Sequence, residues 1–391
     1  MTTIYSFDQC PDRRVSDSVK WNTYEQDVLP AWVADMDFVS PEPIIRALQA
    51  RVEHGVFGYP CDIPGSSKEI PELRQVIVER MARRYGWRVH PEEILFTPGV
   101  VIAFNLACHA FASSTEAVLV QTPVYQPILK AAINTGIMGQ EMAMTGLPDG
   151  SYEVDWEAFE ASITPETRLF ILCNPHNPVG KVFRQDELQR IAEICMRHHI
   201  TICSDEIHCD LIYPGHRHIP IASLDLEIAK HTITLIAPSK TFNIPGLQCS
   251  IAIIQNRELR KQFLNARKGL VPWVNLMGLV AAHAAYTEGQ EWLDQLLVYL
   301  EANRDFLFNY VNQYLPGITM GKPQGTYLAW LDCRQAMIEG SAYRFFLEKG
   351  RVALNDGGSF GRGGEGHVRL NFGCPRSRLE DVLNRMRKTL G

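Results

Sequence analysis

The chain has 391 residues, a net charge of −6, 46% hydrophobic residues and 21% charged residues. That length supports a large core and two domains, and the composition is ordinary for a globular protein. The acidic balance argues against a nucleic-acid face, no apolar run is long enough to span a bilayer, and Met1–Asp8 lacks the basic start and apolar middle of a signal peptide.

The elements alternate along the middle of the chain. Ala117–Gln121 is an apolar run ending at Thr122-Pro123-Val124-Tyr125, and Arg168–Cys173 is another, ending at Asn174-Pro175-His176-Asn177-Pro178-Val179-Gly180. A helix is predicted over Gln185–His199: Leu188, Ile191, Ala192 and Cys195 keep helical spacing. Asp186 and Glu187 near its start and Arg197, His198 and His199 near its end suit the helix dipole. Ile200–Cys203 then reads as a strand delivering Ser204-Asp205-Glu206-Ile207-His208, and Thr232–Ala237 as a strand delivering Pro238-Ser239-Lys240-Thr241. Beyond Gln255 the pattern turns helical over Asn256–Leu270, Leu276–Glu288 and Glu291–Tyr314. The remainder mixes strands (Thr326–Leu331, His367–Asn371), a helix (Ser341–Lys349) and a glycine-rich loop (Gly357–Gly366). Short apolar strands separated by helices predict an α/β fold, a mostly parallel mixed sheet covered on both faces. The expected division is a large domain over residues 46–288 and a smaller α+β domain built from residues 1–45 and 289–391.

Ten cysteines, at 10, 61, 108, 173, 195, 203, 209, 249, 333 and 374, include no Cys-x-x-Cys pair, and Cys173, Cys203 and Cys249 lie inside apolar runs. That is the pattern of reduced, buried thiols and predicts a cytoplasmic protein.

In such sheets ligands bind beyond the carboxyl ends of the strands. Tyr125, Asn177, Asp205 and Lys240 all fall there. A lysine at a buried strand end is costly unless it is paired or used covalently. An amine that forms a Schiff base with an aldehyde cofactor would account for it. Pyridoxal phosphate needs such an amine, an anion beside its ring nitrogen, a donor to its phenolate, a ring stacked on its face and a phosphate cradle. Lys240 is the expected amine and Asp205 the expected anion, which keeps the ring protonated and electron-withdrawing. Asn177 is the expected donor, with His208 as a second candidate, and Tyr125 the stacked ring.

Taken together, Asn-Pro-x-Asn-Pro-x-Gly, Asp-Glu-x-His and Ser-Lys-x-Phe-Asn resemble the class I/II aminotransferase group of fold-type I pyridoxal-phosphate enzymes. Ala34-Asp35-Met36-Asp37-Phe38, Gly55-Val56-Phe57-Gly58-Tyr59, Lys240–Pro245 and Val368–Arg376 resemble, more narrowly, the cystathionine β-lyase (cysteine-S-conjugate β-lyase) branch of the MalY/PatB type. The resemblance runs from about Trp32 to Arg376. It implies that Arg369 binds the substrate α-carboxylate, and that Asp35-Met36-Asp37 lines the substrate entrance, with Asp35 on the substrate side. It further implies that Gly99 and Val100, after the strand Ile94–Thr97, offer backbone N–H groups to the phosphate. Tyr59 is implied to reach the phosphate in a neighbouring subunit, hence a homodimer with shared sites. Two positions depart from the fold-type I pattern. Ala237 stands where a phosphate-binding hydroxyl is common, and Gln248 where an arginine is common, which shifts the phosphate toward Ser239, backbone amides and Tyr59.

The activity implied is β-elimination from L-cystathionine or a related cysteine S-conjugate, yielding a thiol, pyruvate and ammonia. Lys240 acts as general base, and Lys240 or Tyr125 protonates the departing sulfur. The alternative is an aminotransferase, which shares the early steps. A third reading is an added regulatory binding role, since some members of the branch bind a transcriptional activator. Three features are set aside. Gly361–Gly366 matches Gly-x-Gly-x-x-Gly but leads into a strand, so it reads as a mobile loop near Arg369 and not a dinucleotide site. His216-Arg217-His218 has no accompanying ligand pattern for a metal, and Met138–Met144 reads as packing.

Overall fold

A computed structural model describes residues 4–60 and 69–391, with only the backbone of residues 69–71; the expectations for Cys61 and for Met1–Thr3 lie outside the described residues. Among the described residues the main sheet is built from β1 (Ile94–Thr97), β2 (Ala117–Thr122), β3 (Met138–Ala143), β4 (Thr167–Cys173), β5 (Thr201–Asp205), β6 (Thr232–Ile236) and β7 (Ser250–Ile253). The strands lie in the order β1-β7-β6-β5-β4-β2-β3, and β7 alone runs against its neighbours.

Because side chains alternate along a strand, each buried run feeds two cores. Val118, Val120, Leu169, Ile171, Ile233 and Leu235 pack with Ala103, Phe104 and Ala107 of the helix Val100–Phe111 on one face. Leu119, Phe170, Leu172 and Ile202 pack with Leu188, Ile191, Ala192 and Cys195 of the helix Gln185–Arg197 on the other. Burial on both faces is why these strands read as unbroken apolar runs. The helix Gln185–Arg197 begins where the Arg184 N–H donates to Glu187 Oε2 at 2.9 Å and stops two residues earlier than predicted, with His199 in the left-handed region at φ 56°. The predicted helix Asn256–Leu270 is likewise trimmed to Arg257–Arg267, and its Asn256 side chain caps the first turn. Of the Met138–Met144 run, Met142 and Met144 are buried packing residues as expected, but Met138, at the start of the edge strand β3, is 55% exposed.

A second sheet comprises β8 (Thr319–Met320), β9 (Leu328–Asp332), β10 (Asn355–Asp356) and β11 (His367–Asn371), in the order β8-β9-β11-β10 and antiparallel throughout. The helices Gln290–Tyr314 and Arg376–Leu390 pack together beside it. The N-terminal segment joins here: Leu29–Pro30 pairs in parallel with Val352–Ala353, and the Asn371 N–H donates to the Ala31 carbonyl at 2.9 Å. That docking carries Trp32–Asp35 across the mouth of the main sheet.

The glycine-rich stretch is closely packed. A Cβ on Gly364 would stand 2.1 Å from the Gly357 carbonyl oxygen, so the glycines there permit backbone contact beside the turn Gly357–Phe360. Nine cysteines among the described residues are free thiols, eight of them buried.

Candidate active site

Strand register sets the site. Cys173, Asp205 and Leu235 lie side by side at the carboxyl ends of β4, β5 and β6. The chain leaves these ends into a cavity of about 280 Å³ whose lining includes Tyr125, Asn177, Asp205, His208, Ser239 and Lys240. Six residues from four separate stretches of sequence thus face one space.

Lys240 sits in a single helical turn, Pro238–Thr241, directly after β6. Its Nζ donates to the Ala34 carbonyl at 2.6 Å. Burial pushes the amine down to about 8, and the nearby Arg369 charge adds to that, against the opposing pull of Asp35 and Asp205. Asp205 ends β5, and its Oδ1 accepts from the Ile207 N–H at 3.1 Å. Burial pushes this carboxyl up to about 7, with the adjacent Glu206 charge in the same direction. A buried carboxylate with so little compensation is poised to receive a cation.

Asn177 and Arg369 form one unit. Arg369 Nη1 donates to Asn177 Oδ1 at 2.9 Å, and Nη2 donates to the Trp32 carbonyl at 3.0 Å and to Asn355 Oδ1 at 2.6 Å. The guanidinium lies 5.1 Å from the centre of the Phe360 ring, and its Nε is buried without a partner. All three acceptors are neutral, so the positive charge is uncompensated, and burial lowers its affinity for the proton to about 10. With its oxygen engaged by Arg369, Asn177 has only its amide NH₂ left to donate. The Tyr125 N–H donates to the Asn177 carbonyl at 3.0 Å, tying these two residues together, and burial raises the Tyr125 hydroxyl. His208 is driven down to about 3 by burial and by the charges of Lys240 and Arg369, so its ring is neutral at pH 7, and its Nδ1 has no partner.

The other end of the cavity is lined by Gly99, Val100, Val101 and Ile102, at the N-terminus of the helix Val100–Phe111. First-turn N–H groups lack partners within a helix, and the dipole favours an anion there. One amide is already engaged: the Gly99 N–H donates to Ser250 Oγ at 3.2 Å. Ser239 and Gln248 also line this cavity.

Three expected residues are not part of its lining: Tyr59, Asp35, and Arg369, which meets it through Asn177. Tyr59 is 95% exposed and packs edge-on against Trp273. It borders a separate cavity of about 680 Å³ that shares no lining residue with the first. Asp35 stands near Lys240, but its carboxylate is taken by Arg13, with Nη2–Oδ2 at 2.6 Å and Nη1–Oδ1 at 3.0 Å. Arg13 and Lys20 also bind the buried Asp37.

Residues 38–386 match the model of the family described as aminotransferase class I and II. The chain belongs to the class I and II aminotransferase family. Among relatives within and around this family, it is 40% identical to the cystathionine beta-lyase PatB of Bacillus subtilis, over 98% of this chain and 100% of that one. It is 25% identical to an aspartate aminotransferase of Pyrococcus abyssi, over 93% and 92%. The fold superposes on OvoB with a TM-score of 0.93 at 43% identity, covering 99% of each chain. It superposes on cystalysin from Treponema denticola, a structure that contains pyridoxal 5'-phosphate, with a TM-score of 0.93 at 32% identity, covering 99% of each chain.

Sequence reasoning missed several neighbours of the family site. Tyr327, whose hydroxyl donates to the Ala34 carbonyl at 2.8 Å, lies just before β9. Asn355 faces Arg369 across the β10–β11 pair. The carbonyls of Trp32 and Ala34 are backbone groups with no side-chain signature. Among the described residues no group of three metal-ligating side chains occurs; His218 is instead bound to Glu206, Nε2–Oε2 2.7 Å.

Proposed function

We propose that this chain is a pyridoxal-phosphate-dependent carbon–sulfur β-lyase, which cleaves the Cβ–S bond of L-cystathionine or a related cysteine S-conjugate and, with one water, yields a thiol, pyruvate and ammonia. The observation that carries the reading is the gap in similarity, far closer to a named cystathionine β-lyase than to a named aspartate aminotransferase. The cofactor fits the residues present. Asp205 is a buried carboxylate in want of a cation, as a protonated pyridine nitrogen would be. Lys240 offers an amine with a depressed proton affinity, and Asn177 and His208 offer ring-side contacts. The helix end at Gly99 and Val100, with Ser239, suits a phosphate in place of the hydroxyl and arginine absent at Ala237 and Gln248.

When bound, pyridoxal phosphate supplies a sink for the electron pair left on the substrate Cα. The residues supply the rest. Arg369 takes the α-carboxylate through its uncompensated guanidinium, with Asn177, Asn355 and the Trp32 carbonyl fixing the plane of the fork. Lys240, neutral in a useful fraction near pH 7, removes the Cα proton. Two donors are available to the departing sulfur: Lys240, once it carries that proton, and Tyr125, whose hydroxyl burial keeps protonated.

We also infer a homodimer. Support comes from the exposed apolar Val56, Phe57, Tyr59 and Trp273 around the second cavity, where Tyr59 is free to reach a neighbour. The division into a domain of residues 46–288 and a smaller one of residues 1–45 and 289–391 is supported by the pairing of Leu29–Pro30 with Val352–Ala353. A reducing cytoplasmic setting suits the buried free thiols.

The test is incubation of purified protein with L-cystathionine and a few S-alkyl cysteines, measuring pyruvate with and without added keto acid. Pyruvate and free thiol are expected without an acceptor. Amino transfer that strictly requires the keto acid would overturn the lyase reading in favour of an aminotransferase.

A further inference from the structure

Beside the helix Glu69–Tyr85 lies a third cavity, of about 430 Å³, which shares no lining residue with the catalytic one. Its charges are lopsided. Arg84 and Arg217 both line it, and Glu301 is its sole carboxylate. Glu301 is already matched by Arg304 at 3.1 Å. Arg84 Nε reaches Asp210 at 3.3 Å, but that carboxylate is held more closely by Arg80 at 2.7 Å. Arg217 is exposed and meets no acidic side chain among the described residues. The cavity therefore carries a surplus of positive charge.

Its polar atoms are also unmet. His218 is 3% exposed, and with Nε2 on Glu206 its Nδ1 is left buried without a partner. The Tyr85 hydroxyl is buried, with the Cys209 thiol as its polar neighbour and no oxygen or nitrogen partner among the described residues. Buried polar atoms are ordinarily satisfied, and both of these belong to residues that line the cavity. The rest of the wall is apolar, from Ile212, Leu297 and Val298, the last 70% exposed.

We propose that this cavity is a second binding site, for a small organic carboxylate or phosphate whose anionic head meets Arg217 and Arg84 and whose apolar body lies on Ile212, Leu297 and Val298. A charge-assisted hydrogen bond to an arginine carries the head, and the apolar wall selects against a bare inorganic ion.

Isothermal titration of the pyridoxal-phosphate-loaded chain with benzoate, phenyl phosphate and inorganic phosphate tests this. Saturable binding of either aromatic anion is expected, weakened about tenfold or more by Arg217→Gln. Binding should persist in Arg369→Gln, which disables the catalytic carboxylate site, and the cofactor's visible absorbance should not change. Arg217 is solvent-exposed, so its substitution leaves the fold intact, checked by an unchanged melting temperature. Absence of saturable binding by both aromatic anions, indifference to Arg217→Gln, or loss of binding in Arg369→Gln each overturns the proposal. Inorganic phosphate binding as tightly as phenyl phosphate overturns its amphipathic character.

Discussion

Replacing Asn355 by aspartate changes one atom and tests the charge logic of the carboxylate site. Asn355 Oδ1 lies 2.6 Å from Arg369 Nη2, and every acceptor around that guanidinium is neutral. In Asn355→Asp the arginine gains a permanent counterion. A substrate α-carboxylate on the same fork then lies on the order of 5 Å from the new charge, and two like charges at that distance repel by about 3 kcal/mol at an effective dielectric of about 20. That is roughly a hundredfold loss of affinity. The interaction is made equally in the ground and transition states, so it belongs in KM, with kcat little changed. Steady-state pyruvate formation from a cysteine S-conjugate measures both. The methyl ester of the same substrate has no carboxylate to repel, and its KM should barely differ between the two proteins. A KM for the free acid within about twofold of the parent, or an equal change for acid and ester, would refute the idea that an uncompensated Arg369 recognises the carboxylate.

Three further outcomes concern Lys240 and Asp205 in the cavity itself. Lys240→Ala should lose both the visible absorbance of the bound cofactor and turnover; retained turnover removes Lys240 from the chemistry. The rate at which the cofactor-free chain captures pyridoxal phosphate should rise with pH and level off above about 8, because only the neutral amine attacks and Lys240 is depressed to about 8; an inflection nearer the ordinary lysine value would show an amine that the fold does not perturb. Asp205→Asn should stabilise the cofactor-free chain. The Asp205 carboxyl is raised in the folded state to about 7 from 3.8, so folding favours its protonated form. The cost of ionising it is absent below the unfolded value, grows as pH rises between the two, and is complete above the folded one, at about 4 kcal/mol. Urea melts should therefore show an advantage for Asp205→Asn that is nearly absent at pH 3, about 2 kcal/mol at pH 5 and about 4 kcal/mol at pH 8, and an advantage independent of pH would contradict the assigned burial.

How much of this was legible depends on what kind of group does the work. Lys240, Asp205, Asn177 and Tyr125 each follow an apolar run, and in a parallel sheet the ends of such runs must converge. Local pattern plus one topological rule is therefore enough to locate them. Ser239 and the helix end at Gly99 came with the motifs. Asp35 was legible as a neighbour of the site but not in its allegiance: the arginine that claims it lies 22 residues earlier, in a stretch with no periodicity to place it. The carbonyls of Trp32 and Ala34 were invisible for a different reason. Every residue has a carbonyl, and what distinguishes these two is only that residues 29–31 are pinned between Ala353 and Asn371. Yet those two oxygens accept from Arg369 and Lys240, across sequence separations of 337 and 206 residues. A segment that holds the site through backbone oxygens tolerates many side chains, so substitutions at Trp32 or Ala34 that keep the pairing of Leu29–Pro30 should disturb the site less than a change at Val352–Ala353 that breaks it, although the latter pair forms no part of the cavity lining.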